Sequence, residues 1–309
     1  MASKAHSSRP FLDAGVLSRL SRMAYEVNNP MLGSITGMHR SATRGSSVEF
    51  AEYRKYVHGD DPKNIDWQVY ARSDRFYIKE FEADTNLRAY IVVDSSGSMN
   101  FDSGQGTRFD FARNVASHLA YTLVKQGDAV GLHCCSERET VDLPARQAPS
   151  HLHTYFDLLE GMKAEGESTL AEALHGLAER VQRRAVVLVL SDGFIPAPEL
   201  LSALQHLCFC RHDVSFFHLL DPQELSFDFT RPVRFVDLEG GADMVADPSV
   251  MQSTYLDGIH HHLEALKEGC RKFQIDYRQA LVNEPFEKAL TSYLLGHAGM
   301  FGKKGGGRK

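Results

Sequence analysis

The sequence of 309 residues predicts an α/β fold built on a doubly wound, mainly parallel sheet. Two short runs of β-forming apolar residues, Ala89–Val93 and Ala185–Leu190, have no polar face, which is typical of strands buried on both sides. Both runs end abruptly in Asp and hydroxyl residues. Helical spacings alternate with further apolar runs along the chain, and repeated β-α units of this kind predict a parallel sheet.

The region before the first of these strands shows fewer regular patterns. One amphipathic helix is predicted from residues at helical spacing, namely Val16, Leu17, Leu20 and Met23. The block Glu49–Asp84 is rich in charged and aromatic residues. Its composition predicts a turn at 59–62 and a strand at Phe76–Phe81.

Two features of this block are interpreted as structural. Trp67 is the only tryptophan of the chain, and we expect it to anchor the block on the sheet rather than to stack on a ligand. The charged residues could form an ion-pair network or a docking surface, and the network is favoured because such pairs commonly fix loops. These residues are Arg54, Arg72, Asp60, Asp61 and Asp66.

After the first strand, apolar residues at helical spacing predict helices and short apolar runs predict strands. The predicted helices are Thr107–Gln126, Thr154–Met162, Thr169–Arg183, Pro198–Cys208, Val250–Phe273 and Pro285–Leu295. Further strands are predicted at Ala129–Cys134 and Val214–Leu220. The segment Val233–Pro248 predicts a hairpin, with its turn at Gly240 and Gly241.

Composition argues against several classes of protein. The net charge is −6 and the basic residues are scattered, so the chain has no electrostatic footprint for nucleic acid. The first ten residues lack an apolar signal core, and no apolar run is long enough to cross a bilayer, so we expect a cytoplasmic protein without membrane insertion. The five cysteines include no Cys-x-x-Cys pair and are expected to be reduced and buried.

Oxygen ligands occur at three loops near the predicted carboxyl edge of the sheet. An Asp-x-Ser-x-Ser loop follows the first strand, an Asp follows the second, and a helix between them starts with adjacent Ser and Thr residues. Sheets of this class bind ligands at that edge, and hard oxygen donors suit Mg²⁺. The candidate residues are Asp94, Ser96, Ser98, Ser168, Thr169 and Asp192.

This pattern resembles the metal-ion-dependent adhesion site (MIDAS) of von Willebrand factor A domains. In that site an Asp-x-Ser-x-Ser loop, a Thr before a helix and an Asp after a later strand surround one divalent cation. The resemblance implies a sheet of von Willebrand factor A type that binds Mg²⁺, or alternatively Mn²⁺ or Ca²⁺, through Asp94, Ser96, Ser98, Thr169 and Asp192. Ser168 competes with Thr169 for one ligand position. A turn that only caps a helix is the structural alternative.

The block before this site resembles the bacterial family named domain of unknown function 58. The resemblance rests on Phe50–Tyr56, Gly59–Asp61, Ile65–Trp67, Ala71–Arg72 and Lys79–Glu82. It covers nearly the whole chain, because segments near 219–225, 276–277 and 293–294 are similar too. Members are soluble or membrane-tethered A-domain proteins, often encoded beside MoxR-type AAA+ ATPases. The resemblance therefore implies such an ATPase as a partner, together with a client protein that supplies an acidic side chain to the metal.

Four regions follow from this comparison and from the chain length. Residues 1–84 are predicted to be an N-terminal extension packed on the core, and 85–225 the von Willebrand factor A-like domain with the metal site. Residues 226–300 are predicted to complete the fold with a hairpin and helices, and 301–309 to be a disordered basic tail.

We expect a binding module and no catalytic residues. A haloacid-dehalogenase phosphatase would need a second Asp where Ser96 stands, and the sequence has no phosphate-binding Gly-x-x-x-x-Gly-Lys-Ser/Thr loop. Hydroxyl ligands neutralise little of a metal's charge, so the ion could accept a carboxylate from a partner. The alternatives are a metal-dependent hydrolase that uses the same site, and a structural A domain with an empty site.

Overall fold

The computed structural model describes residues 9, 11–27, 39–41, 48–55, 67–73, 75–85, 87–137, 140–229, 231, 233–241 and 243–301. The strands are β1 (His39–Ser41), β2 (Val48–Lys55), β3 (Tyr77–Thr85), β4 (Arg88–Asp94), β5 (Ala129–Cys135), β6 (Thr140–Arg146), β7 (Val186–Ser191), β8 (Asp213–Leu220), β9 (Val233–Phe235), β10 (Met244–Ala246) and β11 (Asp276–Leu281). The α-helices are α1 (Ala14–Val27), α2 (Trp67–Ser73), α3 (Arg108–Lys125), α4 (Pro149–Gly161), α5 (Leu170–Arg180), α6 (Ala197–Phe209), α7 (Pro222–Ser226), α8 (Pro248–Lys272) and α9 (Phe286–Phe301).

The central sheet has six strands in the order β11-β8-β7-β4-β5-β6. All neighbours are parallel except β6, which runs antiparallel to β5 at one edge. The chain starts this sheet in the middle, at β4, and builds outward on both sides, which confirms the predicted doubly wound α/β fold. Val93 of β4 lies opposite Leu190 of β7, so Asp94 and Ser191 follow side by side at the carboxyl edge.

Both faces of the sheet are buried, as the unbroken apolar runs predict. Ile91 and Val93 pack into the core on one face, with side chains of α1, α3, α4 and α9. Val92 packs into the core on the other face, with side chains of α5, α6 and α8. The period-2 alternation of a strand sends neighbouring residues to opposite cores. Strand β4 is therefore packed on both faces up to the loop that follows it.

The predicted N-terminal helix is confirmed as α1. Its Val16 and Leu20 are buried in the core shared with α3 and α9, so this part of the extension packs on the main domain. Strands β1, β3 and β2 form a separate antiparallel sheet in that order. The predicted strand at Phe76–Phe81 corresponds to β3. Whether the region 1–84 packs on the core as a whole remains a prediction.

Trp67 does not anchor this block, and that prediction is wrong. The side chain lies at the start of α2, is 59% exposed and contacts the ring of Tyr70 edge-on at 6.1 Å between centroids. A short helix can turn its first residue outward, and nothing in the composition of the block reveals that direction. The predicted turn at 59–62 lies outside the described residues, as do Asp60, Asp61 and Asp66 of the predicted ion-pair network.

The C-terminal third matches its predicted elements with shifted bounds. Strands β9 and β10 form the predicted antiparallel hairpin, although their connection spans residues 236–243 and is longer than a two-residue turn. Gly240 lies in this connection with φ +103°, a conformation that glycine adopts without strain. Helices α8 and α9 correspond to the two predicted final helices. The predicted basic tail, apart from its first residue, lies outside the described residues.

Two further predictions concern the burial of the cysteines and the absence of a membrane-spanning helix. None of the five cysteines forms a disulfide. Cys134, Cys135 and Cys270 are buried as predicted, whereas Cys208 and Cys210 are only half-buried. Within the described ranges, no helix has the length and apolar character needed to span a bilayer.

Helix α3, whose first residue is Arg108, starts with a side-chain cap. Thr107 Oγ1 accepts a hydrogen bond from the backbone N of Asp110 at 2.9 Å. We expect Thr107→Ala to lower the free energy of unfolding by about 1 kcal/mol, because an Ncap hydroxyl satisfies a donor that the helix cannot. Urea unfolding measures the change. Thr154→Ala, at an exposed position inside α4, is the control and should have a smaller effect. Equal effects would contradict the capping role.

Candidate metal centre

Asp94 is the centre of the candidate site. It ends β4 at the carboxyl edge of the sheet, and its side chain is only 1% exposed. Its Oδ1 accepts a hydrogen bond from the backbone N of Ser96 at 3.0 Å, which turns the chain sharply after the strand. Residues Gly97–Asn100 then form one turn of 3₁₀-helix. The Ser96 and Ser98 hydroxyl oxygens lie 3.1 Å apart, so the predicted Asp-x-Ser-x-Ser loop places its two hydroxyls together.

A second loop, before α5, is attached to the first by backbone hydrogen bonds. Gly97 N donates to Gly166 O at 2.8 Å, and Glu165 N donates to Ser95 O at 2.9 Å. These bonds fix the distance between the loops independently of any side chain. They bring Ser168 Oγ to 3.4 Å from Asp94 Oδ2, where the hydroxyl donates to the carboxylate.

Thr169 and Ser168 were alternatives for one ligand position. Ser168 is the residue whose hydroxyl reaches Asp94, and it also accepts a bond from Leu170 N at 3.4 Å. Thr169 occupies the Ncap position of α5, with φ −109° and ψ 24°, and its side chain makes no capping bond. The geometry therefore favours Ser168 over Thr169 as the hydroxyl that shares the site with Asp94.

Asp192 reaches the site from the loop after β7, and it is almost completely buried. The preceding Ser191 donates its hydroxyl to Asp94 Oδ2 at 2.7 Å, and Ser191 Oγ accepts from Gly193 N at 2.9 Å. Sequence reasoning assigned Ser191 no role. Its position at the carboxyl end of a parallel strand, level with Asp94 on the neighbouring strand, was the available signal.

The two buried carboxylates repel each other. Burial raises the pKa of Asp94 to about 6, and the charge of Asp192 contributes to that rise, against the hydrogen bonds from Ser191 and Ser96. A pair of this kind is costly in its ionised form unless positive charge is supplied. The donor set of two carboxylates and several hydroxyl oxygens is one that Mg²⁺ accepts. The residues present therefore fit the predicted cation.

Arg108 supplies one positive charge from within the protein. Its side chain is 1% exposed, and Nη1 donates to Asp192 Oδ2 at 2.8 Å and to Ser98 O at 3.1 Å. The guanidinium carbon lies 5.1 Å from the ring centre of Phe101 and 5.2 Å from that of Phe194. Burial lowers the pKa of Arg108, while Asp192 opposes that shift, and the guanidinium stays charged.

Arg108 also links the site to α7. Its Nη2 donates to Glu224, and the other oxygen of that carboxylate accepts from Asp221 N at 3.1 Å in a capping box at the start of α7. Ser103 Oγ donates to Asp221 Oδ2 at 2.7 Å. Sequence reasoning missed both Arg108 and Glu224. The available signal was an arginine in the first turn of a helix, where the helix dipole disfavours a cation.

Two histidines support the Asp192 loop from behind. His218 Nε2 lies 2.7 Å from Asp192 O and its Nδ1 lies 2.8 Å from the hydroxyl oxygen of Tyr277. His262 Nε2 lies 3.0 Å from Gly193 O. Of the three consecutive histidines on α8, His260 and His261 are exposed, whereas His262 is half-buried against this loop.

Comparison with solved structures gives low-similarity matches that cover about two thirds of the chain. The conserved hypothetical protein BatB from Bacteroides thetaiotaomicron is 17% identical, with a TM-score of 0.46 over 69% of this chain and 99% of that chain. An aerotolerance-related membrane protein from Bacteroides fragilis is 20% identical, with a TM-score of 0.44 over 69% of this chain and 98% of that chain. The SpRpn10 VWA domain is 10% identical, with a TM-score of 0.40 over 68% of this chain and 95% of that chain.

Comparison with curated sequences finds longer matches. An uncharacterized protein of Mycobacterium tuberculosis is 26% identical over 265 residues, which is 84% of this chain and 83% of that protein. An uncharacterized protein of Mycobacterium bovis matches to the same extent. The family model described as "Protein of unknown function DUF58" matches residues 52–254, which include every candidate metal ligand. The chain belongs to the DUF58 family.

Proposed function

We propose that this chain is a cytoplasmic, Mg²⁺-dependent protein-interaction module that cooperates with a MoxR-type AAA+ ATPase in assembling or remodelling a client protein. The observation that carries the proposal is the convergence of Asp94 and Asp192, both buried, with three serine hydroxyls at the carboxyl edge of the sheet. The ATPase partner rests on the family resemblance alone.

The residues that would hold the cation are Asp94, Ser96, Ser98 and Asp192, with Ser168 or Thr169. A bound Mg²⁺ would supply a positive charge that attracts a carboxylate from a partner. The chain's own contribution is to fix the oxygen donors: Ser96 N and Ser191 Oγ hold the two oxygens of Asp94, and Arg108 holds Asp192. Neutral hydroxyls leave most of the metal's charge available to that partner.

We further propose that the module has no hydrolytic activity of its own. The two imidazoles behind the Asp192 loop direct Nε2 at backbone carbonyl oxygens, so those nitrogens carry protons and donate. Burial lowers the pKa of His218 to about 3, which keeps its ring neutral near pH 7. A general base needs a free lone pair facing the bound water. His218 and His262 instead position the loop.

A structural A domain with an empty site is the second candidate, and one contact favours it. Arg108 already neutralises Asp192 inside the protein, as an internal cation would. Calorimetry separates the two candidates, because the interaction module should bind Mg²⁺ and Mn²⁺ at one site near neutral pH. Heat of binding that is absent for both ions would favour the structural domain.

We expect partner binding to weaken by about tenfold or more when Mg²⁺ is chelated, and similarly in Ser96→Ala plus Ser98→Ala, because the double variant removes two neutral oxygen ligands. Capture of the ATPase from a defined mixture, with and without chelator, measures this. The melting temperature in metal-free buffer should change little, which distinguishes a loss of ligands from a loss of folding.

The control for the double variant is Ser202→Ala plus Ser253→Ala, at two helical positions away from the site. This control should keep both Mg²⁺ dependence and partner binding. Partner affinity that is indifferent to chelation and to the Ser96/Ser98 double variant would overturn the interaction-module proposal. Hydrolysis of phosphoesters or peptides that depends on Asp94 would overturn the non-enzymatic part.

A further inference from the structure

Two histidines on neighbouring helices face each other at hydrogen-bond distance. His175 of α5 and His206 of α6 place their Nδ1 atoms 2.9 Å apart, with ring centroids 5.1 Å apart and ring planes inclined by 45°. Both side chains are half-buried, so the pair is within reach of solvent. Among the residues that the structure describes, neither imidazole ring has a second hydrogen-bond partner. One Nδ1 must therefore carry a proton that the other accepts, or a cation must replace that proton.

The separation of the two nitrogens matches a metal bridge. Imidazole nitrogens bind first-row metals at about 2.0–2.1 Å, so two nitrogens at this separation subtend about 90° at a shared ion. That angle is the one between neighbouring ligands in square-planar and octahedral complexes, the geometries of Cu²⁺ and Ni²⁺. A tetrahedral ion such as Zn²⁺ would require the nitrogens to move apart by about 0.4 Å.

We propose that His175 and His206 form a transition-metal site for Ni²⁺ or Cu²⁺ that is separate from the candidate Mg²⁺ centre. Imidazole is a good ligand for these ions, whereas Mg²⁺ prefers oxygen, so the two sites select different metals. Glu172 and Glu179 lie three residues before and four residues after His175, on the same side of α5, and add negative charge nearby. Water completes the coordination, because no cluster of three or more His, Cys, Asp or Glu ligands occurs among the described residues.

A metal ion bound by His175 and His206 would link two helices that start at the loops of the candidate Mg²⁺ centre. Helix α5 begins directly after the Ser168 and Thr169 loop, and α6 begins five residues after Asp192. The two helices pack against each other in the same core. An ion held by both rings would fix α5 relative to α6, and therefore restrain the two loops from which these helices start.

Nickel titration of the full chain in excess Mg²⁺ tests the proposal. Ni²⁺ is chosen because it suits imidazole and, unlike copper, does not drive oxidation of the cysteine thiols. We expect one Ni²⁺ site that raises the melting temperature of the wild-type protein. His175→Gln plus His206→Gln should weaken Ni²⁺ binding by at least tenfold, since even changes beside metal ligands cost about 10–100-fold in affinity.

The control is His260→Gln plus His261→Gln, which removes two exposed histidines from α8 and should leave Ni²⁺ binding unchanged. The single variant His206→Gln keeps the test decisive if the double variant folds poorly, because one ring cannot bridge the helices. Equal Ni²⁺ affinity in wild type and in His206→Gln would overturn the proposal. So would loss of Ni²⁺ binding in the control variant, which would place the ion on α8.

Discussion

Replacing Arg108 with methionine should lower the free energy of unfolding by about 3–5 kcal/mol in metal-free buffer. Arg108 and Asp192 are each 1% exposed and form an ion pair at 2.8 Å, and the guanidinium also binds Glu224. Methionine fills much of the same volume but leaves both carboxylates without a cation. Removing one partner of a buried pair is far more costly than the net contribution of the pair, because the remaining charge is isolated from water.

Urea unfolding of Arg108→Met measures this loss, and Arg184→Met is the matched control. Arg184 binds Asp213 through two hydrogen bonds of 2.9 and 3.0 Å, yet its side chain is 65% exposed. An exposed pair contributes less than about 1 kcal/mol, so the control should change little. A similar small change in both variants would mean that water or a rearrangement compensates the buried carboxylates.

Mg²⁺ should restore part of the stability that Arg108→Met loses. Without the guanidinium, Asp192 is free to bind a cation with its full charge, so the ion replaces the missing arginine. We therefore expect the added stability from Mg²⁺ to be larger in this variant than in the wild type. An equal or smaller gain would indicate that Asp192 and the cation do not interact, and would favour a structural role for the Asp192 loop.

The central strands of the sheet could be predicted because their local sequence agrees with their surroundings. Strands β4 and β7 are buried on both faces, and each ends where polar residues begin. The edge strands were not predicted. Strand β11 reads Asp-Tyr-Arg-Gln-Ala-Leu, and only its pairing with β8 makes it a strand. Strand β6 contains Pro144, which is tolerated at a sheet edge but argues against a strand when only the sequence is known.

The candidate site could likewise be predicted where it depends on local sequence, but not where it depends on contacts between distant residues. Sequence motifs identify the three loops, since each follows a recognisable strand or precedes a helix. They do not reveal which hydroxyl of Ser168 and Thr169 turns inward, because that choice depends on two backbone bonds between loops about 70 residues apart in sequence. Arg108 was missed for a related reason. Its role depends on Asp192 and Glu224, which lie 84 and 116 residues away.

Asp94→Asn should abolish Mg²⁺ binding while making the metal-free protein more stable at pH 8. The pKa of Asp94 is raised from 3.8 to about 6 in the folded chain, so its ionised form opposes folding. This penalty is small below about pH 4, grows as the pH rises towards 6 and is complete above it. Asparagine removes the charge at every pH. Its side-chain oxygen can keep the bond from Ser96 N, and its amide can donate to the Ser191 hydroxyl.

Melting curves at pH 8, with chelator and with Mg²⁺, test both the loss of Mg²⁺ binding and the gain in metal-free stability. The wild type should gain about 2.7 kcal/mol when Mg²⁺ is present at 100 times its dissociation constant, and Asp94→Asn should gain nothing. In chelator at about pH 3 the two proteins should melt alike, because Asp94 is then largely protonated in both folded and unfolded chains. Asp257→Asn, at an exposed position on α8, should follow the wild type under every condition.

Two outcomes of these melting curves would contradict the prediction. If Asp94→Asn gains as much from Mg²⁺ as the wild type does, the ion binds elsewhere. If the variant is less stable than the wild type at pH 8 in chelator, the hydrogen bonds that the Asp94 carboxylate accepts from Ser96 N and Ser191 Oγ stabilise the fold by more than burial and repulsion from Asp192 destabilise it. The metal-free site would then be stable with both carboxylates ionised, and it would not need a cation to offset their charge.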